Sequence, residues 1–162
     1  MSTMTETEET STVVRAQLIP LTDMNLLLPN TCIAEVIGVA EMNPVKSTPE
    51  WFLGMMDWRG VRIPVISFET MNGLPAASPT RNSRVAVLNG IRGDEKLPFY
   101  GVLAQGIPRL LALDRSAMSS LKKPAHKLTL ASDQVQLGEE TAVIPDQKQL
   151  ETLLVKEVSK IK

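Results

Sequence analysis

Reactive side chains are scarce in this 162-residue sequence. A single cysteine, Cys32, excludes an internal disulfide framework and makes a reducing cytoplasm the expected compartment. The single histidine, His126, stands in a polar stretch, where a solvated side chain is the expected role. One histidine and one cysteine far apart are too few for a zinc site of nitrogen and sulfur ligands, and nothing marks the two as a nucleophilic dyad. Neither the Walker spacing nor the dinucleotide fingerprint occurs, so no phosphate-cradling glycine loop is expected. Three Phe, two Trp and one Tyr leave little for base stacking, and a net charge of −1 lacks the basic face that displaces counterions from nucleic acid. No run approaches the ~18 apolar residues of a membrane span, and no basic segment precedes an apolar core near the start. The expected site chemistry is therefore empty: no catalytic residue, no cofactor, no metal, no nucleic-acid partner, and no enzyme.

What the sequence does contain is short apolar runs cut by turn residues. Residues 1–12 are Thr, Ser and Glu with little to bury, which predicts a disordered acidic lead-in. Val14, Ala16 and Leu18 alternate with Arg15 and Gln17, a period of two that predicts a half-buried strand. Leu26–Leu28 follows as a second strand; Asn30 or Thr31 then caps a short helical turn through Glu35, and Val36–Ala40 resumes as strand. With the hairpin described next, about five short strands precede residue 72, the number expected of one small barrel. The Pro-, Ala- and Ser-rich residues 73–83 read as a joint. A second barrel is expected over about 84–146. Its apolar runs are Arg84–Asn89, Phe99–Gln105, Ile107–Leu113, Leu128–Leu130, Val135–Leu137 and Thr141–Ile144. Glu139 and Glu140 form an acidic pair that reads as a solvated hairpin tip. Asp146 caps a C-terminal helix over about 147–161, with Leu150, Leu153, Leu154, Val158 and Ile161 on one stripe.

The densest stretch is Trp51 to Phe68. Thr48, Pro49 and Glu50 resemble an N-cap, a first helical residue and a first-turn carboxylate, so one helical turn is expected there, ended by Gly54. Arg59-Gly60 between Met55–Trp58 and Val61–Ser67 predicts a tight hairpin that lifts the guanidinium off the strand ends. Pro64 cannot donate to a ladder, so its strand is expected to be an edge, or bulged or bent there.

The pattern Pro49-x-Trp51-Phe52-x-Gly54, Arg59-Gly60-x-x-Ile63-Pro64-Val65-Ile66, with Glu35-Val36-Ile37 upstream, resembles the signature of CheW-like domains, the coupling proteins of bacterial chemosensory arrays. The likeness is good over Leu27 to Phe68 and weaker beyond. It implies a mainly β fold, two small five-stranded SH3-like barrels side by side with short helical turns and a C-terminal helix. The first barrel is then about 13–72, the second about 84–146. It also implies a non-catalytic adaptor between a methyl-accepting chemoreceptor tip and the regulatory domain of a chemosensory histidine kinase, touching membrane only through the receptor array. Carried over residue by residue, Glu35 and Arg59 become a structural ion pair holding the short helical turn against the hairpin. Ile33, Glu35, Trp58, Arg59, Gly60, Val85 and Val87 become the partner-binding set, with a groove lined by the Arg84–Asn89 strand. Trp58 replaces the usual aliphatic residue and reads equally as core or as interface anchor. Gln105 stands where the family often has aspartate, and the segment after Met118 is short and basic, with Lys122-Lys123; by overall likeness rather than by any motif, the chain resembles adaptors of type IV pilus twitching-motility systems. From the residues alone, a small-molecule-binding β-barrel or a generic interaction module remains the alternative.

Overall fold

The computed structural model of the chain describes residues 13–76, 78–114, 116, 118–124 and 127–161. The expected lead-in over 1–12 and the expected solvated His126 lie outside them. Strands β1 (Val13–Pro20) and β2 (Asn25–Pro29) lead through a single 3-10 turn, Asn30–Cys32, into β3 (Ile33–Gly38). The hairpin β4 (Phe52–Trp58) and β5 (Val61–Ile66) runs into a short helix, α1 (Phe68–Met71). Next come β6 (Arg84–Asn89), β7 (Phe99–Ala104), β8 (Arg109–Asp114) and β9 (Met118–Ser120). A second hairpin, β10 (Ala131–Leu137) and β11 (Glu140–Pro145), delivers the chain into α2 (Gln147–Val158). The fold is mainly β with a C-terminal helix, as the sequence implies.

Strand pairing divides the chain differently from the expected boundary at residues 73–83. One sheet has five strands in the order β3-β6-β7-β5-β4, and the other has six in the order β8-β1-β2-β11-β10-β9. The first barrel is thus built from β3 to β7, and β1 and β2 belong with the C-terminal strands. β1 lies against β8 from Val13↔Asp114 to Leu18↔Arg109. Local alternation reports which face of a strand is buried, and it carries no information about which strand lies alongside.

Three apolar clusters follow from this arrangement. Met56, Ile63, Val65, Val85 and Val87 fill the first barrel, with Ile37, Trp58 and Phe99 at its margin. Ala16, Leu18, Leu27, Val135 and Ala142 fill the second, with Leu111, Leu113, Met118, Leu137 and Ile144 beside them. The largest cluster joins residues of both sheets, among them Leu26, Leu28, Ala86, Leu88, Tyr100, Val102 and Val143, and α2 packs on it through Leu150 and Leu154.

The helical turn expected at Thr48–Gly54 is absent: Phe52 N–H donates to Pro49 O at 3.0 Å, a turn, and β4 has already begun at Phe52. Gly54 lies inside β4, with φ +151° at a register shift between Phe52 and Gly54. A Cβ there would meet the Asn43 carbonyl oxygen at 2.7 Å, because Asn43 forms a bridge with Met55. The glycine therefore serves a close backbone approach in place of a helix stop. The bulge also resets the alternation, so that Phe52 and Met55 face the shared core while Leu53 and Met56 face the barrel interior.

Pro64 is not on an edge strand, since β5 lies between β7 and β4. It pairs with Met55, whose N–H and C=O are both spent on Asn43. That makes Met55↔Pro64 a pair without mutual hydrogen bonds, and the missing N–H falls on the side away from β4. On that side β7 begins to pair only at Val65↔Gly101, so the first half of β5 behaves as an edge after all.

Helix α2 begins where expected, with Asp146 Oδ1 accepting from Gln149 N–H at 3.1 Å. Leu153 leaves the expected stripe at 37 % exposure, and Glu151, 1 % exposed, takes its place. Glu151 accepts from Ile91 N–H, Arg92 N–H and the Tyr100 hydroxyl at 2.9–3.1 Å, so a buried carboxylate fastens the helix to the β6–β7 connection. Burial raises the Tyr100 hydroxyl pKa far above its ordinary value, keeping it a donor. Leu128–Leu130 is not a strand; Leu130 is a buried residue of the turn into β10.

Candidate functional site

Arg59 and Gly60 turn the β4–β5 hairpin with φ of 49° and 78°, the two positive values that a two-residue turn matched to strand twist demands. An arginine rarely adopts this conformation, so contacts beyond the turn must hold it. Its Nε donates to Glu35 Oε1 at 3.0 Å and its Nη2 donates to Glu35 Oε2 at 3.2 Å, the two-pronged geometry that fits a guanidinium to a carboxylate. Trp58 Nε1–H donates to the same Oε1 at 2.8 Å. The indole ring lies under the guanidinium at 5.7 Å and meets the Phe99 ring nearly edge-on at 4.9 Å.

Glu35 reaches this position from a strand, not from the helical turn expected through it: the 3-10 turn ends at Cys32 and β3 starts at Ile33. Between Ile33↔Leu88 and Glu35↔Val87 the register shifts, leaving Ala34 as an extra residue. The bulge changes the phase of the strand, sending Ile33 toward the shared core and Glu35 to the side of the first barrel's rim.

β3 and β4 are the two ends of the five-stranded order. A carboxylate on β3 bound to the turn after β4 therefore draws the sheet's open edges together. The pair is exposed, Arg59 at 68 % and Glu35 at 34 %, so it presents a charged, oriented rim to solvent. Hydrogen bonds from Arg59 and then from Trp58 hold the Glu35 carboxyl below its ordinary pKa, and the same contact raises Arg59.

Glu35, Trp58, Arg59 and Gly60 are thus brought into one constellation. The other expected partner-binding residues are not part of it. Val85 and Val87 are 0 % exposed inside the first barrel, and Ala86 and Leu88 on the opposite face of β6 are buried in the shared core, so none of these four side chains faces an open groove. The unbroken run Val85-Ala86-Val87-Leu88 is the mark of a strand covered on both faces. Ile33 is half-buried against the shared core. Trp58 packs its ring at the edge of the first barrel's core, and its indole N–H donates to Glu35.

Phe99, which braces the indole, escaped sequence reasoning because nothing local connects it to a turn some forty positions upstream. So did a second ion pair, Arg109 with Glu140, whose Nη2 donates to Oε1 at 2.7 Å and to Oε2 at 2.6 Å. Glu140, expected to be merely solvated, has a partner on another strand. Cys32 is half-buried with its Sγ–H directed at Gln147 Oε1 at 3.5 Å, and burial raises its pKa, the reverse of an activated thiolate. Among the described residues, no group of three His, Cys, Asp or Glu side chains is placed to hold a metal ion, and no helix is long and apolar enough to cross a membrane.

The family profile described as CheW-like domain matches residues 15–161. Among solved structures, the chain is similar to the scaffolding protein TtCheW from Thermoanaerobacter tengcongensis. The TM-score is 0.68 over 82 % of this chain and 83 % of that one, at 16 % identity, which speaks for the fold. No curated protein matches the chain. With two interlocked barrels, a C-terminal helix and a family match across nearly all of its length, the chain belongs to the CheW-like domain family.

Proposed function

We propose that this protein is a non-catalytic adaptor that joins a methyl-accepting chemoreceptor tip to the regulatory domain of a chemosensory histidine kinase. The observation that carries the reading is the Glu35–Trp58–Arg59 rim: an exposed, doubly hydrogen-bonded ion pair backed by an aromatic anchor, at the closed edge of a barrel in a chain of this family. Aromatic and arginine side chains held rigid at a surface are the residue types that concentrate binding energy at protein interfaces. Two barrels offer separate faces, so two partners can be held at once and a change in one can bias the other. A narrower form of the proposal assigns the output to type IV pilus twitching motility; it is supported by the overall likeness of the divergent second half, and genes encoded beside this one test it.

The direct test is capture of purified kinase regulatory domain and receptor tip by the wild-type chain and by Arg59→Ala. The variant should lose at least about tenfold in affinity for one partner, the loss expected of a hot-spot residue, with a nearly unchanged melting temperature. Failure of the wild type to bind either partner at tens of micromolar removes the adaptor reading. Normal capture by Arg59→Ala removes only the rim from it.

A further inference from the structure

The six-stranded sheet consists of two antiparallel three-stranded jaws, β8-β1-β2 and β11-β10-β9. Within each jaw neighbouring strands pair antiparallel, with one register shift, between Ala131 and Asp133. Between them the backbone ladder has a single registered pair, Val143↔Leu26. Asn25 Nδ2 donates to Thr141 O at a long 3.4 Å beside that pair. On the far side of the barrel, β8 and β9 are the sheet's two ends and do not pair. The chain itself ties them at one end, through the short connection from Asp114 to Met118. A polar tie runs from Arg109, at the start of β8, to Glu140, at the start of β11, with both side chains about half exposed. Beneath that pair is an apolar cleft of about 230 Å³ lined by Leu18, Leu111, Leu113, Leu137, Gly138 and Glu140. Leu113 also borders a second apolar opening of about 170 Å³ near Val14 and Met118.

We propose that the tip of the β10–β11 hairpin is a hinged flap over this cleft, pivoting at Val143/Leu26 and latched by Arg109–Glu140. Gly138 supplies the positive φ of 60° that turns the tip, and the register shift between Ala131 and Asp133 interrupts the ladder at the hairpin's base. Among the described residues no aromatic ring contact reinforces the latch, unlike the indole and phenyl rings behind Glu35–Arg59. An exposed ion pair of this kind is weak and screened by salt. A ligand or partner charge that engages Arg109 or Glu140 therefore frees the flap and uncovers Leu18, Leu111 and Leu137. This inference does not depend on which partners the Arg59 rim binds.

Hydrogen exchange of the full chain tests it, with Arg109→Gln, Glu140→Gln and the exchanged pair Arg109→Glu/Glu140→Arg. At low salt the two single variants should exchange about two- to fivefold faster than wild type over residues 134–143, with β4–β7 unchanged. Wild type should approach the variants' rate in about 0.5 M salt, the single variants should be indifferent to salt, and the exchanged pair should restore protection. Exchange rates equal to wild type in the single variants, or an increase spread evenly over both barrels, overturn the flap.

Discussion

Each barrel carries an arginine–glutamate pair at its rim, with the polarity reversed between them. In the first, the carboxylate stands on edge strand β3 and the guanidinium on a hairpin turn; in the second, the guanidinium stands on edge strand β8 and the carboxylate at the start of β11. Their surroundings differ more than the pairs do. Behind Glu35–Arg59 lie an indole that donates to the carboxylate and a phenyl ring against the indole, over a core whose five central side chains are at most 1 % exposed. Behind Arg109–Glu140 lies an open apolar cleft. The comparison teaches that an ion pair takes its rigidity from what it rests on, and that one fold can brace one such pair with aromatic rings and leave another over open space.

The sharpest way to break this comparison is to truncate both cores. Ile63→Ala, in the filled barrel, should cost about 2–5 kcal/mol of unfolding free energy in urea. Leu113→Ala, already bordered by empty space and partly exposed, should cost on the order of 1 kcal/mol, because there is less packing to lose. Equal losses would erase the distinction. A smaller effect comes from Trp58→Leu, which should remove about 0.5–1.5 kcal/mol for the lost aromatic pair with Phe99 beyond its change in buried area. Trp58→Phe keeps a ring but not the N–H, so the Glu35 carboxyl should titrate closer to its ordinary value of 4.5 when followed by carboxyl NMR. An unmoved titration means that the indole hydrogen bond contributes nothing to the rim.

The smallest expected effect is on pH dependence. Glu35 and Glu140 are both held below the ordinary carboxyl value of 4.5 by their arginines. A depressed folded-state pKa contributes stability that is present above the unfolded-state value and disappears as pH falls through the folded one. Unfolding midpoints should therefore stay level from about pH 7 to pH 5 and decline at lower pH. In Arg59→Ala and Arg109→Gln the part of that decline belonging to each pair should vanish separately, and a decline identical to wild type in both variants would show that other carboxylates govern it.

The β4–β5 hairpin and the C-terminal helix were legible because their signals are local. Arg59-Gly60 specifies a positive-φ turn whatever lies around it, and Asp146 followed by an apolar stripe specifies the start of a helix. The failures share one cause, distance along the chain. Extra residues at Ala34 and Leu53 reset strand phase, so alternation counted across them assigns side chains to the wrong face. Val85 and Val87 look available for binding until β3 and β7 enclose their strand. Glu151 looks like a solvated helix residue until two backbone amides and a tyrosine from the β6–β7 region converge on it. Pro64 suggests an edge strand, or a bulge or bend, whereas β5 is an interior strand that lacks a ladder partner on one side only up to Val65.

The exchange of β1 and β2 into the C-terminal sheet has a temporal consequence. On the ribosome, these strands emerge before β3 to β7, yet their outer ladder partners β8 and β11 are translated after them. The barrel made of β3 to β7 can assemble while synthesis continues, whereas β1 and β2 wait with unpaired edges for roughly a hundred residues, the interval in which a nascent chain is most open to chaperones and to mispairing.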